Sequence, residues 1–163
     1  MSEVRLVTDF EKNREELDKI CNESTAHFMK VEGRPPLTAF CDIHKEVPEL
    51  PGGFPVTCYA VLCGGEVAGY AWVMDDTDKK LYYILEFIIG ERFRRKKVGS
   101  ETLRALDDFY SEYSISELLV SANNYEGLNF WVKNGYTEIT LVLPPEAQDT
   151  VAVEMNLRRH IKR

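Results

Sequence analysis

No apolar stretch in this chain approaches the length that crosses a bilayer. The first residues, Met1-Ser2-Glu3-Val4-Arg5, show no basic region followed by an apolar core. Neither a membrane span nor a secretory leader is expected, and cytoplasmic residence follows by default. Cysteine is scarce: Cys21, Cys41, Cys58 and Cys63 form no CxxC pair and have no histidine at metal-ligand spacing. That argues against a disulfide framework or a metal site and for buried free thiols. Positive charge is in deficit, with 20 Lys and Arg against 27 Asp and Glu and a net charge of -7. No broad basic face is left for nucleic acid. His27 and His44 have no serine or cysteine nucleophile in a recognisable motif, so they read as surface or internally satisfied histidines.

What the chain does contain is length and hydrophobic content for one domain over residues 1–163, at 44% hydrophobic and 29% charged. Against the acidic background, Arg92, Arg94, Arg95, Lys96 and Lys97 crowd into six residues. They follow the apolar run of residues 81–89 and precede a helical pattern opening with Val98-Gly99-Ser100. Strand, basic loop, small residues and helix together suit a polyphosphate. Amides at the helix start point at the anion, the helix dipole favours negative charge there, and a small residue permits close approach.

Elsewhere, residues 4–8 alternate as a short strand, and Asp9 is an N-cap for a helix over about residues 10–23. Residues 24–29 extend that helix or begin another, and Gly33 ends it. A further short helix follows Pro35-Pro36 to His44, then a Pro- and Gly-rich loop reaches Pro55. Residues 57–63, Gly64-Gly65 and residues 67–74 read as a hairpin, and residues 81–89 as the next strand. A helix over 98–113 carries an apolar stripe of Leu103, Leu106, Phe109, Tyr110 and Tyr113. A strand at 117–122 follows, then a helix over 124–134 closed by Gly135 at C′. Strands at 136–143 and 151–157 flank the Pro144-Pro145 loop, and residues 158–163 read as a solvated, frayed end. The order β-α-α-β-β-β-α-β-α-β-β is a mixed α+β fold, a mostly antiparallel sheet flanked by helices. Three consecutive strands before the basic loop argue against a doubly wound dinucleotide fold.

Element order and both chemistry-bearing segments resemble the GNAT superfamily of N-acetyltransferases. The family's phosphate loop, R/Q-x-x-G-x-G/A, aligns with Arg94-Arg95-Lys96-Lys97-Val98-Gly99. Its second segment aligns with Asn124, Phe130-Trp131 and Gly135-Tyr136. The resemblance implies acetyl-CoA as cosubstrate, held by Phe87, Ile88, Ile89, Arg94, Arg95, Lys96, Lys97, Val98, Gly99, Ser100, Asn124 and Trp131. No metal is implied. Backbone groups of Phe87, Ile88 and Ile89 would meet the pantetheine arm where their strand splays from its neighbour, and an N–H near Ile89 would polarise the acetyl carbonyl. Lys97 departs from the pattern by standing where the first glycine is usual. At positive φ a lysine there costs about 1 kcal/mol. As a plain helix start it adds charge without strain, and this second case is the expectation.

Glu86 is a lone carboxylate inside an apolar strand, sharing a face with Tyr82, Ile84 and Ile88 by simple alternation. Burying it as an ion is unfavourable, so it has a partner, reaches water or titrates high. It is the first choice for a general base toward an ammonium substrate, with a carboxylate paired to a nearby Arg or hydrogen-bonded to a Tyr as the competing reading. Trp131 stands where the family often has a tyrosine acid, and an indole cannot supply that proton. Tyr125 and Tyr136 are substitutes that nothing selects. Asn124 also suits a helix N-cap. Asp42, Glu46 and Glu49 lie where the family shapes its acceptor pocket and hint at a cationic amine. The reading is an acyl-CoA-dependent N-acyltransferase acting by direct attack on a small-molecule or protein amine, with a homodimer left open. The alternative is a CoA-binding or inactive module of the same fold, toward which Lys97 and Trp131 lean.

Overall fold

The computed structural model describes residues 3–9, 11–36, 49–50 and 52–162. The expected short helix after Pro36, with His44, Asp42 and Glu46, lies outside them, as do Phe10 and Cys41. Strands β1 (Val4–Val7), β2 (Glu49–Leu50), β3 (Phe54–Cys63), β4 (Glu66–Asp76) and β5 (Leu81–Ile89) precede β6 (Ile115–Ser121), β7 (Glu138–Leu143) and β8 (Glu154–His160). The sheet runs β1-β3-β4-β5-β6-β8-β7, with β2 pairing the start of β3. Only the β5–β6 pair is parallel among these ladders.

One face of the sheet is covered by α1 (Arg14–Val31), which buries Leu17, Ile20 and Cys21 against Cys58, Ala60, Tyr70, Trp72 and Ile88. Each such apolar side chain contributes about 1.5–3 kcal/mol by leaving water. The helix runs on through residues 24–31 as one element. Ser24 keeps the buried stripe because its hydroxyl donates to the Ile20 carbonyl at 2.9 Å, so a polar residue there does not break the face. Its start lies later than residue 10, after a 3-10 turn at Glu11–Asn13, and Asp9 Oδ1 accepts from the Lys12 N–H of that turn. Gly33, at φ 81, follows its C-cap.

The opposite face carries α2 (Val98–Phe109) and α3 (Tyr125–Lys133), which pack Leu103, Leu106 and Trp131 onto Tyr59, Val73, Tyr82, Ile84, Leu118 and Val120. The helix expected to reach residue 113 ends at Phe109, where Tyr110 leaves helical geometry at ψ 42. Tyr110 and Tyr113 still enter the core, whereas Phe109 stands exposed instead of joining the stripe. At the end of α3, Gly135 at φ 93 gives the left-handed residue that closes the helix. Its N–H bonds Val132 O and that of Tyr136 bonds Trp131 O, the paired pattern of a Schellman cap. A one-turn helix, α4 (Pro145–Gln148), fills the loop between β7 and β8.

Residues 158–160 are strand and not a frayed tail. Arg158 and Arg159 belong to β8, where Arg158 Nε meets Glu117 Oε1 at 2.6 Å and Arg159 Nη2 meets Asp107 Oδ1 at 2.6 Å. The Arg159 guanidinium also lies over the Tyr136 ring. Ion pairs on both sides of the sheet explain why a charged run extends the strand. Cys21 and Cys58 are buried and Cys63 is partly buried, and these three are not in disulfides. Among the described residues no helix is long and apolar enough to cross a membrane.

Candidate active site

β5 and β6 pair only from Leu81 with Ile115 to Ile84 with Leu118, although β5 continues to Ile89 and β6 to Ser121. Beyond that point each strand keeps its outer partner, β4 or β8. The two therefore part, and among the described residues the inner backbone edge of β5 past Ile84 has no ladder partner, leaving N–H and C=O groups for a ligand. Two cavities open along the gap. One, of about 240 Å³, reaches from the basic loop (Arg94, Arg95, Gly99) past Ile88 and Ile89 to Phe130. The other, of about 370 Å³, holds Glu32, Arg34, Trp72, Glu86 and Glu154. They share Phe28, Phe87, Asn124 and Trp131, so the walls where they meet come from α1, β5 and the start and last turn of α3.

The basic loop divides its charges. Arg92 is turned away to pair with Glu66, and Arg94 Nε donates to Ile89 O at 2.9 Å, tying the loop to the end of β5. Arg95 and Lys97 have φ of 60 and 65, with Lys96 between them outside that region. Alternating hand turns successive N–H groups into one concavity suited to an anion. Lys97 is the N-cap of α2 and among the described residues no side chain caps that end, which leaves the first amides of the helix to a ligand.

This corrects the expectation for Lys97. It is no ordinary helix start but a left-handed residue, because the chain reverses hand there to enter α2. Replacing it by glycine is expected to relieve about 1 kcal/mol, raising the melting midpoint by roughly 2–4 °C in a thermal scan. Gly99 is required by contact instead. A Cβ there would stand 2.9 Å from Phe130 Cε2. Val98 is buried beneath the loop, and Lys96, Lys97, Val98 and Ser100 do not line either cavity.

Glu86 is 7% exposed and lines the second cavity, not the first. The face expected for it by simple alternation is wrong in part. Trp72 pairs with Glu86 and Val73 with Ile84, so Leu85 is an extra residue, a β-bulge. Past the bulge the strand's sides exchange. Tyr82 and Ile84 face α2, while Glu86 and Ile88 face α1, beside Tyr70 and Cys21. Burial, reinforced by the Glu86 charge, pushes the Tyr70 hydroxyl and the Cys21 thiol up, and a Cys21–Tyr70 hydrogen bond partly offsets this for the thiol.

Asn124 is the N-cap of α3, its Oδ1 accepting from Gly127 N at 2.9 Å, which leaves the Nδ2 protons unspent by the cap. Trp131 is 7% exposed and packs edge-on against Phe87 at 5.2 Å, a wall of both cavities. Tyr136 is not available as an acid: it is fully buried, bonded to Ser116 Oγ at 2.6 Å, and burial raises its hydroxyl above the ordinary range. Tyr125 is largely exposed and lines neither cavity.

Sequence reasoning overlooked Phe28, Glu126 and Gly127, read His27 as a surface or satisfied histidine and quoted Phe130 only within the aligned segment; all five complete the first cavity. The spacing of Leu17, Ile20, Ser24 and Phe28 was the signal for α1, obscured by the serine. Among the described residues no cluster of His, Cys, Asp and Glu suits a metal ion.

A sequence profile described as the Acetyltransferase (GNAT) family matches residues 17–136. No curated protein sequence matches the chain. Ard1 from Thermoplasma volcanium shares the fold at 24% identity and a TM-score of 0.70, with 99% of each chain covered. The acetyl transferase from Salmonella typhimurium that modifies the N-terminal serine of ribosomal protein L7/L12 aligns at 15% identity and TM-score 0.76, covering 99% of this chain and 97% of that one. A putative streptothricin acetyltransferase from Bacillus anthracis, in complex with acetyl coenzyme A, aligns at 17% identity and TM-score 0.57 over 66% of this chain and 63% of that one.

Proposed function

We propose, from the premise that this chain belongs to the acetyltransferase (GNAT) family, that its two cavities admit the two substrates of an acetyl transfer from opposite sides of the β5–β6 gap. The protein is an acetyl-CoA-dependent N-acetyltransferase. The assignment of its residues is ours, within one acetyltransferase domain over residues 1–163. What carries it is the meeting of the cavities at Phe87, Asn124 and Trp131, just where β5 leaves β6.

The first cavity suits CoA on several counts. The concave turn at Arg95 and Lys97, the uncapped start of α2 and the side chains of Arg94 and Arg95 fit a diphosphate. Gly99, pressed under Phe130, keeps that approach free of a side chain. The free edge of β5 at Phe87, Ile88 and Ile89 would pair with an amide-bearing arm, Asn124 Nδ2 would donate from the facing helix, and Trp131 and Phe130 exclude water. When bound, acetyl-CoA supplies the activated acyl group. An N–H near Ile89 would hold the carbonyl oxygen, where negative charge grows during attack.

The second cavity takes the amine. An ammonium must lose a proton before it can attack, and Glu86, on that side of the gap, accepts it directly or through water. Positioning at the junction and carbonyl polarisation supply the rest of the acceleration. The Salmonella and Thermoplasma structures share the fold, and the former's protein N-terminus is one kind of acceptor this cavity would suit.

Calorimetric titration with acetyl-CoA tests the assignment. Micromolar binding is expected, weakened about tenfold in Arg94→Ala through loss of a charged contact worth roughly 1.4 kcal/mol. Failure of the unaltered protein to bind would overturn it.

A further inference from the structure

The inner wall of the second cavity holds two buried polar atoms whose partners are missing among the described residues: Oε2 of Glu154 and Nε1 of Trp72. Glu154 is 2% exposed and Trp72 5%. Buried polar atoms almost always find partners: the Glu154 oxygen, an acceptor, calls for a donor-bearing occupant, while the indole N–H, a donor only, calls for an acceptor such as a carbonyl rather than a cation. The other Glu154 oxygen, Oε1, lies 3.6 Å from Arg34 Nη2, and the same guanidinium bonds Glu32 Oε2 through Nε at 3.2 Å. Among the described residues two carboxylates thus share one cation. Glu86 adds a carboxylate to the same cavity.

Resting on the assignment of this cavity to the acceptor, we propose that Glu154 binds a second positively charged nitrogen, so that the preferred acceptor is an aliphatic amine carrying another ammonium or guanidinium group. Glu154 pairs with Ser121 at the end of β6 and faces α1, as Glu86 does. The two carboxylates stand two strands apart, about 10 Å at ordinary strand spacing before the β5–β6 gap is added. A chain of several bonds between the two nitrogens spans them. Burial pushes the Glu154 carboxyl above its ordinary range, Arg34 opposes this and Glu32 adds to it. An incoming cation supplies the counter-charge that favours the ionised form. Either a free diamine or a peptide with a basic side chain near its N-terminus presents this chemistry.

The test is amine binding to the protein, with and without saturating CoA, read by calorimetry, with acetyl transfer followed in parallel. One arm compares n-butylamine with the corresponding α,ω-diamine; the other compares tripeptides differing only in lysine or norleucine at the second position. The dication is expected to bind about tenfold tighter in at least one arm, which names the source. Glu154→Gln, close to isosteric, should reduce that ratio to near unity. Arg34→Ala, on a half-exposed side chain, should move it the other way by freeing Oε1. Equal affinities in both arms, or a preference that survives Glu154→Gln, overturn the proposal even where transfer persists. Failure of the acetyltransferase assignment would show separately, as absent acetyl-CoA binding.

Discussion

Replacing Glu86 by glutamine should lower kcat by about 10²–10⁴-fold, the range that loss of a general base gives, while the affinity for acetyl-CoA stays within about twofold. The separation follows from position. Glu86 lines the cavity assigned to the amine and is missing from the walls of the one assigned to CoA. Glutamine keeps the size and removes only the capacity to take a proton. The loss should shrink as pH rises toward the ionisation of the acceptor, near 10.4 for a lysine-like amine, because bulk base then supplies the neutral nucleophile. A merely structural role for Glu86 predicts no such recovery. Weakened CoA binding in parallel with turnover, or a loss independent of pH, would sink the assignment.

Gly99→Asp is expected to abolish measurable acetyl-CoA binding, weakening it by about 100-fold or more, equivalent to roughly 2.7 kcal/mol. Two effects combine. Any side chain there meets Phe130 at 2.9–3.0 Å, and Phe130 stacks on Phe87, a wall shared by both cavities. The carboxylate would also take the open amides of α2 for itself and repel a diphosphate a few ångströms away, a like-charge interaction of about 4 kcal/mol at 4 Å and an effective dielectric of 20. Gly99→Ala carries only the first effect, so its smaller loss measures the contact alone. Circular dichroism on both variants checks that α2 survives, which an acidic residue in its first turn favours. Binding of acetyl-CoA by Gly99→Asp at the original affinity would remove the α2 start from the CoA site.

The site was legible in the sequence where chemistry and punctuation coincide. A basic run between an apolar strand and a small-residue helix start marked the loop, and Gly135 marked the end of α3. The left-handed geometry of Lys97 was not legible, since residue type disfavours it and only the turn into α2 demands it. Nor was the bulge. β5 is apolar on both sides, so no alternation of polar and apolar residues records where one residue has been added. Glu154 was read as lying inside a strand that ends at residue 157, and nothing local shows that its neighbours Arg158 and Arg159 find carboxylates on other elements. Partners distant in sequence decide such positions, and a single chain read along its length does not display them.

The extra residue at Leu85 has a consequence for how this strand tolerates change. Before it, β5 belongs to the interior beneath α2; after it, the same alternation delivers Glu86 to one side and Phe87 to the other. Substitutions of similar shape at Tyr83 or Leu85 leave that phase intact. Removal of a single residue would not: it would carry the carboxylate into the apolar layer and the ring out of the junction, in one step and without altering any side chain that performs the chemistry. The strand therefore behaves as two joined segments whose relative phase is the inherited quantity, more sensitive to a change in length than to most changes in letter.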